Sequence, residues 1–248
     1  MTVRLAWLTL LGLHVPPLLV GFRWGWRMGL LCMVAIHIWV ILSIFLPRLA
    51  PWGRTMRRFR TSERQVCLTI DDGPTADTPE MLSILDAAGV RAVFFLIGER
   101  VAANPLLCRE IRERGHVLAN HTQTHPSAWF WCYLPAAQRL EIAKTSRTIH
   151  DAFGGNVRLF RAPVGFRNLF NGGVLRELGL HNIGWSARGF DGIDTNVERI
   201  LQRILATLTP GAIILLHQGK PHHPELLRRL LAELKARAWE VIVPPELE

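Results

Sequence analysis

From residue 65 to the C-terminus, short apolar runs alternate with amphipathic helical patterns, and this alternation restricts the possible folds more than any other feature of the chain. The apolar runs are 65–70, 92–97, 117–120, 158–161, 182–186, 212–216 and 240–243. Helical spacing fills 78–88, 104–114, 135–153, 172–178, 197–208 and 224–238. Thr78-Pro79 opens the first helix with a capping residue and a first-turn proline. Gly89, Gly115, Gly154 and Gly179 stand where helices should stop. Alternation at this spacing predicts a mainly parallel α/β sheet. About seven strands fit a distorted (β/α) barrel, with a doubly wound open sheet as the alternative.

The first run ends unusually. Val66 to Pro74 reads V-C-L-T-I-D-D-G-P, a buried strand that stops on two carboxylates before Gly73-Pro74 turns the chain. Two acids at the edge of a buried strand are costly unless partnered or bound to a cation. Successive strand residues point to opposite faces, so Asp71 and Asp72 fit two jobs, one ligand and one base. An ordinary Asx turn is the plain competing account. Other polar residues fall at the same kind of place: His121 and His125 after the third run, Arg161 ending the fourth, Asp191 after the fifth, and His217 ending the sixth. Parallel α/β sheets build their sites at C-terminal strand ends.

His121-Thr-Gln-Thr-His125-Pro126 is an HxxxH pair. A strand before it and Pro126 after it predict a loop or single turn. Alone, such a pair is usually a surface pair. With a carboxylate from Asp71 or Asp72 it becomes a two-histidine, one-carboxylate set with open coordination positions. Zn2+, or another divalent transition metal, is the expected ion, because it polarises a carbonyl and lowers the pKa of bound water to about 7.

The first sixty residues differ from the rest. Residues 1–60 hold eight arginines and no acid, which leaves 29 − 8 = 21 basic against 20 acidic side chains beyond them. The body is thus near neutral, which argues against nucleic acid as a partner. Residues 5–22 and 28–46 are apolar runs close to the ~20 residues that cross a bilayer. A helical hairpin is expected, kinked in its first arm by Pro16-Pro17, with membrane lipid as its partner. A cleaved signal peptide and a soluble buried hairpin are the alternatives. Arg48, Arg54, Arg57, Arg58 and Arg60 outnumber Arg23 and Arg27 in the turn, so the positive-inside rule places the body on the cytoplasmic side of the inner membrane. The domains read as 1–47 spanning helices, 48–62 basic linker and 63–248 catalytic domain. Cys32, Cys67, Cys108 and Cys132 form no CxxC pair and read as apolar fillers.

Four motifs in order, Thr69-Ile-Asp-Asp-Gly-Pro74, His121-Thr-Gln-Thr-His-Pro126, Arg161-Ala-Pro-Val-Gly165 and Leu215-Leu-His217, resemble those of the polysaccharide deacetylases of carbohydrate esterase family four, from about Glu63 onward. The resemblance implies a distorted (β/α) barrel and removal of N-acetyl, or O-acetyl, groups from a membrane-proximal or lipid-linked glycan. It implies Asp71 as general base, Asp72, His121 and His125 as metal ligands, Arg161 as the residue that holds Asp71, and His217 as general acid. An activated water, an oxyanion donor such as the Val164 amide, and a proton for the leaving amine are what amide hydrolysis requires. Three positions depart from the family pattern, one of them Val164, where the third motif usually has an aromatic. Arg188 stands where an aspartate is usual and Gly192 where a tryptophan is usual, so Asp191 is expected to pair with His217. Aspartyl phosphoryl transfer is a weak second reading. A catalytically inactive, membrane-anchored glycan-binding protein of the same fold is the third. Trp129-Phe130-Trp131 is expected either as a sugar- or membrane-contacting rim or as ordinary packing.

Overall fold

The computed structural model describes residues 2–45, 53–166 and 168–248. They form two compact bodies. One gathers Met1–Arg54, Pro126–Leu140 and Ala162–Gly179; the other gathers Thr55–His125, Glu141–Arg161 and Leu180–Glu248.

The second body holds the sheet. Its strands are β1 (Gln65–Gly73), β2 (Val93–Leu96), β3 (Val117–Asn120), β4 (Leu159–Phe160), β5 (His181–Asn182), β6 (Ala187–Arg188), β7 (Ala212–His217) and β8 (Glu240–Val241). They pair in parallel in the order β5-β4-β3-β2-β1-β7-β6. β8 pairs with the start of β1, so Val66 lies between Ala212 and Val241. No pairing joins β5 to β6 among the described residues, so the structure is an open half-barrel. The run 182–186 was expected as one strand. Only Asn182 of it lies in a strand, with β5 ending there and β6 starting at Ala187, because Ile183 and Gly184 turn to Met56: Met56 N–H donates to Asn182 O at 2.9 Å, and Gly184 N–H donates to Met56 O at 2.7 Å. The described part of the basic segment 48–62 is therefore stitched to the sheet, and the buried Phe59 ring joins the core while its amide donates to Gly211 O. Arg48 and Trp52 lie outside the described residues.

Side-chain alternation explains where the polar residues go. The half-barrel interior is filled by Cys67, Val93, Phe95, Val117, Ala119, Leu159, Ile183 and Ile213, with Phe59 and Leu247. Two residues on, the same faces carry different chemistry. Cys67-Thr69-Asp71 on β1, Val117-Ala119-His121 on β3, Leu159-Arg161 on β4 and Ile213-Leu215-His217 on β7 each end in a polar residue at the C-terminal edge. The opposite faces, including Leu68, Ile70, Phe94, Leu96, Ile214 and Leu216, are also fully or nearly fully buried. Both faces are covered, as a parallel sheet requires.

Helices of this body are α4 (Thr78–Ala88), α5 (Gly98–Ala103), α6 (Pro105–Glu113), α9 (Val197–Ala206) and α10 (His223–Ala236), and α7 (Pro135–Phe153) has its C-terminal part here. Gly89 closes α4 at φ 62°, a left-handed conformation that glycine adopts without penalty. The short α5 was not expected from the sequence.

In the first body, α1 (Val3–Gly12), α2 (Val15–Trp24) and α3 (Trp26–Phe45) are joined by α8 (Asn171–Glu177). Pro16 and Pro17 sit in the first turn of α2, where a missing N–H costs nothing, and the first arm breaks between Gly12 and Val15. By length and composition, Val3–Trp24 (mean hydropathy 1.7) and Trp26–Phe45 (2.4) can each cross a bilayer. A Cβ on Gly29 would meet Gly21 Cα at 2.8 Å and Pro17 O at 2.9 Å, so the two arms pack backbone to backbone through glycine. Trp7 packs on Phe170, and Phe45 on both Trp131 and Phe166.

Candidate active site

Asp71, Asp72, His121, His125, Arg161, Asp191 and His217 all belong to the sheet-bearing body, and Val164 to the other. β1 and β7 are in register with Asp71 opposite His217. The register of β1 against β2 shifts between Ile70 and Gly73, and Asp72 adopts φ 69°. This corrects the expectation that the two carboxylates point apart. The left-handed turn at Asp72 brings its Oδ1 to 3.5 Å from His121 Nε2, while Asp71 Oδ2 lies 3.7 Å from the same nitrogen.

The HxxxH segment is a loop, with Thr122 at φ 68° and His125 at φ 52°. It brings the two imidazole centroids to 4.8 Å apart. His121 Nδ1 lies 2.9 Å from Arg161 O. A carbonyl only accepts, so Nδ1 carries a proton and Nε2 is the ring nitrogen left facing the carboxylates. His125 Nε2 is 3.4 Å from Asp72 Oδ1. Burial, then neighbouring His121, pushes His125 down to about 4, which leaves it neutral at pH 7. Burial alone would raise the Asp72 carboxyl, but His121, His125, His217 and Arg100 outweigh it and hold it below its ordinary value.

These atoms fit a cation. Asp72 Oδ1 is buried and has no hydrogen-bond partner, an expensive state in the absence of a positive charge. One ligand atom from each of Asp72, His121 and His125 lies within 4.8 Å of the others. Two imidazole nitrogens and one carboxylate are the donor set that suits zinc and related divalent ions.

Asp71 is held apart from this set. Arg161, only 1% exposed, donates from Nη1 to Asp71 Oδ1 at 2.6 Å and to Thr69 Oγ1 at 2.8 Å. Its other nitrogens donate to Ile183 O and Gly184 O, and its guanidinium lies 4.0 Å from the Phe95 ring centroid. A buried cation with this many partners is a fixed element that orients the carboxylate.

His217 Nδ1 is 3.0 Å from Asp191 Oδ1, and its backbone amide donates to Asp191 Oδ2 at 2.7 Å. Burial opposes protonation of His217, but the hydrogen bond to Asp191 and the charges of Asp191, Asp71 and Asp72 push it up to about 9. Asp191 is therefore brought together with His217, whereas Arg188 turns toward the Phe190 and Trp185 rings. A Cβ on Gly192 would stand 3.7–3.9 Å from the His217 ring, so the glycine leaves that face of the imidazole open.

Sequence reasoning missed several supporting residues. His222 Nε2 and His223 Nε2 lie 3.1 and 3.2 Å from Asp191 O. Glu141 bonds the HxxxH loop. No motif marks these positions. His222-His223 lies five residues beyond His217 and 31 beyond Asp191, and only the fold brings them together. The aromatic triplet is divided: Phe130 is buried, Trp131 packs on Phe45, and Trp129 is 64% exposed.

A parallel half-barrel with an aspartate, two histidines, an arginine-held second aspartate and an aspartate-paired histidine at its strand ends has the makings of a hydrolytic site. The family model described as polysaccharide deacetylase matches residues 59–183. The chain is 36% identical over 200 residues to a chitooligosaccharide deacetylase of Bradyrhizobium, covering 74% of this chain and 90% of that protein. It is 31% identical over 189 residues to a peptidoglycan-N-acetylglucosamine deacetylase of Listeria monocytogenes, covering 75% and 39%. Among solved structures, a family-four carbohydrate esterase pseudoenzyme from Bacillus anthracis superposes with a TM-score of 0.73 at 27% identity, covering 79% of this chain and 69% of that one. The chain belongs to the polysaccharide deacetylase family.

Proposed function

We propose that this chain is a metal-dependent carbohydrate deacetylase that removes N-acetyl groups from a membrane-proximal or lipid-linked glycan. The observation that carries the reading is the unpartnered, buried Asp72 Oδ1 between two imidazole Nε2 atoms, with Asp71 fixed separately by Arg161. Asp72, His121 and His125 would hold the ion; when bound, it supplies an electrophile for the acetyl carbonyl and lowers the pKa of water. Asp71 Oδ2, not engaged by Arg161, is the oxygen that takes the proton from the attacking water. His217 is protonated at neutral pH and has its Nδ1 committed to Asp191. Its Nε2–H is therefore the donor for the leaving amine. Asp191 holds that tautomer and orientation, as the acid of a histidine–carboxylate pair does.

Several features support the substrate class. Named relatives deacetylate chitooligosaccharide and peptidoglycan N-acetylglucosamine. The two apolar arms, with the arginines that flank them, support an inner-membrane setting with the sheet-bearing body on the cytoplasmic side. Resemblance to a pseudoenzyme favours weighing an inactive glycan-binding protein as well, but the paired His217 and Asp191 count against it.

Acetate release from a panel of soluble N-acetylated sugars and lipid-linked glycans tests the reading. Wild type should release acetate from at least one lipid-linked or oligomeric substrate and Asp71→Asn from none. Silence of wild type across the panel, with a stoichiometric ion bound, would favour the binding protein.

A further inference from the structure

We infer that Glu141 is a positioning residue for the metal-binding loop, fixing the distance between His121 and His125 before any ion arrives. The inference rests on the metal reading above and names what maintains that geometry.

Thr122 and His125 both take positive φ, at 68° and 52°. Such conformations are strained in non-glycine residues and persist only where surroundings impose them. The loop therefore needs external restraint, and its backbone partners can be followed one by one. Thr122 N–H donates to the Asn120 side chain at 2.9 Å. Thr122 O and Gln123 O accept from the Gly98 and Glu99 amides at the start of α5, both at 3.0 Å. Two backbone donors and one hydroxyl of the loop converge on one group. Glu141 Oε2 accepts from Gln123 N–H and Thr124 N–H, each at 3.0 Å, and Glu141 Oε1 accepts from Thr124 Oγ1 at 3.1 Å.

Three donors on one carboxylate, all from residues between the two ligands, make Glu141 the counterpart of the α5 amides. One side of the loop is held through its carbonyls, the other through its N–H groups. Glu141 itself is fixed in α7, where its carbonyl accepts from Thr145 Oγ1 at 2.8 Å. The neighbouring Asn120 oxygen is already engaged by Thr122 N–H. Without Glu141 to hold Gln123 and Thr124, the flanking Thr122 and His125 are free to relax from positive φ, and the His125 ring moves away from His121.

Zinc titration of the full chain in detergent, after chelation, tests this in wild type, Glu141→Ala, Glu141→Gln and Glu141→Asp. Glu141→Ala should weaken zinc affinity about 10–100-fold, the range known for residues that orient metal ligands. Glu141→Gln, with one acceptor oxygen, should fall between wild type and Ala, and Glu141→Asp should recover part of the loss. Amide exchange at Gln123 and Thr124 in the metal-free chain should quicken in Glu141→Ala. Asn196→Ala, which removes the side-chain cap of α9, is the control that lowers Tm without changing zinc affinity. Glu141→Ala and Glu141→Gln that lose Tm but keep wild-type zinc affinity would overturn the inference. A wild-type chain that binds no divalent ion would remove the metal reading, and this inference with it.

Discussion

The Nδ1 proton of His121 is given to the main-chain carbonyl of Arg161 at 2.9 Å, while the Arg161 side chain holds Asp71 at 2.6 Å. One residue therefore sets the orientation of both the His121 imidazole and the neighbouring Asp71 carboxylate. The carbonyl contribution survives any substitution at position 161, and the guanidinium contribution does not. The two can thus be separated by mutation.

Arg161→Ala leaves Asp71, 2% exposed, without its counter-ion. Removing one partner of a buried ion pair costs about 3–5 kcal/mol. The urea midpoint of the sheet-bearing body should fall accordingly. Arg161→Lys keeps the charge but cannot reach Asp71, Thr69, Ile183 and Gly184 together, so it should recover only part of that loss. Full recovery with lysine would mean that charge alone matters at this position.

Asp71 and His125 should separate metal binding from turnover. Asp71→Asn removes a proton acceptor but no member of the Asp72, His121 and His125 set, so the zinc content should stay near wild type while acetate release falls by about 10²–10⁴-fold. His125→Ala should lose both. Metal analysis alongside single-turnover assays reads the two quantities. Loss of zinc in Asp71→Asn would make Asp71 a ligand instead.

Within the hairpin, Gly29 lies against backbone, not against a side chain that could move. Gly29→Val places a branched Cβ where Gly21 Cα would be 2.8 Å away, so the arms must separate. Overpacking of this kind typically costs about 1–3 kcal/mol. The midpoint of SDS-induced unfolding should drop in Gly29→Val, and Gly25→Ala, where a Cβ meets nothing within 4 Å but φ is 94°, should show a smaller loss from backbone strain alone. Equal losses would place the effect in the turn and not in the packing.

Much of this arrangement was legible in the sequence, because strand periodicity and strand-end polarity are local signals. Alternation along 65–71 and 213–217 is enough to put Asp71 and His217 on the interior face at one edge. The direction of Asp72 was not legible. It depends on a register shift and a left-handed turn that neighbouring strands impose. The break between the edge strands β5 and β6 at 183–186 was hidden for a similar reason: Met56, more than a hundred residues earlier, supplies the competing hydrogen bonds. Glu141, His222 and His223 were hidden because helix-surface and loop residues of those types are common and mark nothing until the fold brings them to a partner.

The pair of His217 and Asp191 predicts a specific pH dependence. In the metal-free chain His217 titrates at about 9, above its ordinary value of 6.5. A histidine whose pKa is raised by folding binds its proton more tightly in the native state. The stability it contributes is therefore complete below about pH 6.5 and is lost as pH rises through about 9. Activity should show the same limb, since the general acid must be protonated: turnover declines on the alkaline side as His217 loses its proton. Burial alone lowers the pKa of this imidazole, and Asp191 reverses that effect through its hydrogen bond and its charge. Asp191→Asn keeps the shape but removes the charge, so the NMR titration of His217 should move to lower pH and the alkaline limb should move with it. A limb that stays in place while the His217 titration shifts would assign the acid to another group.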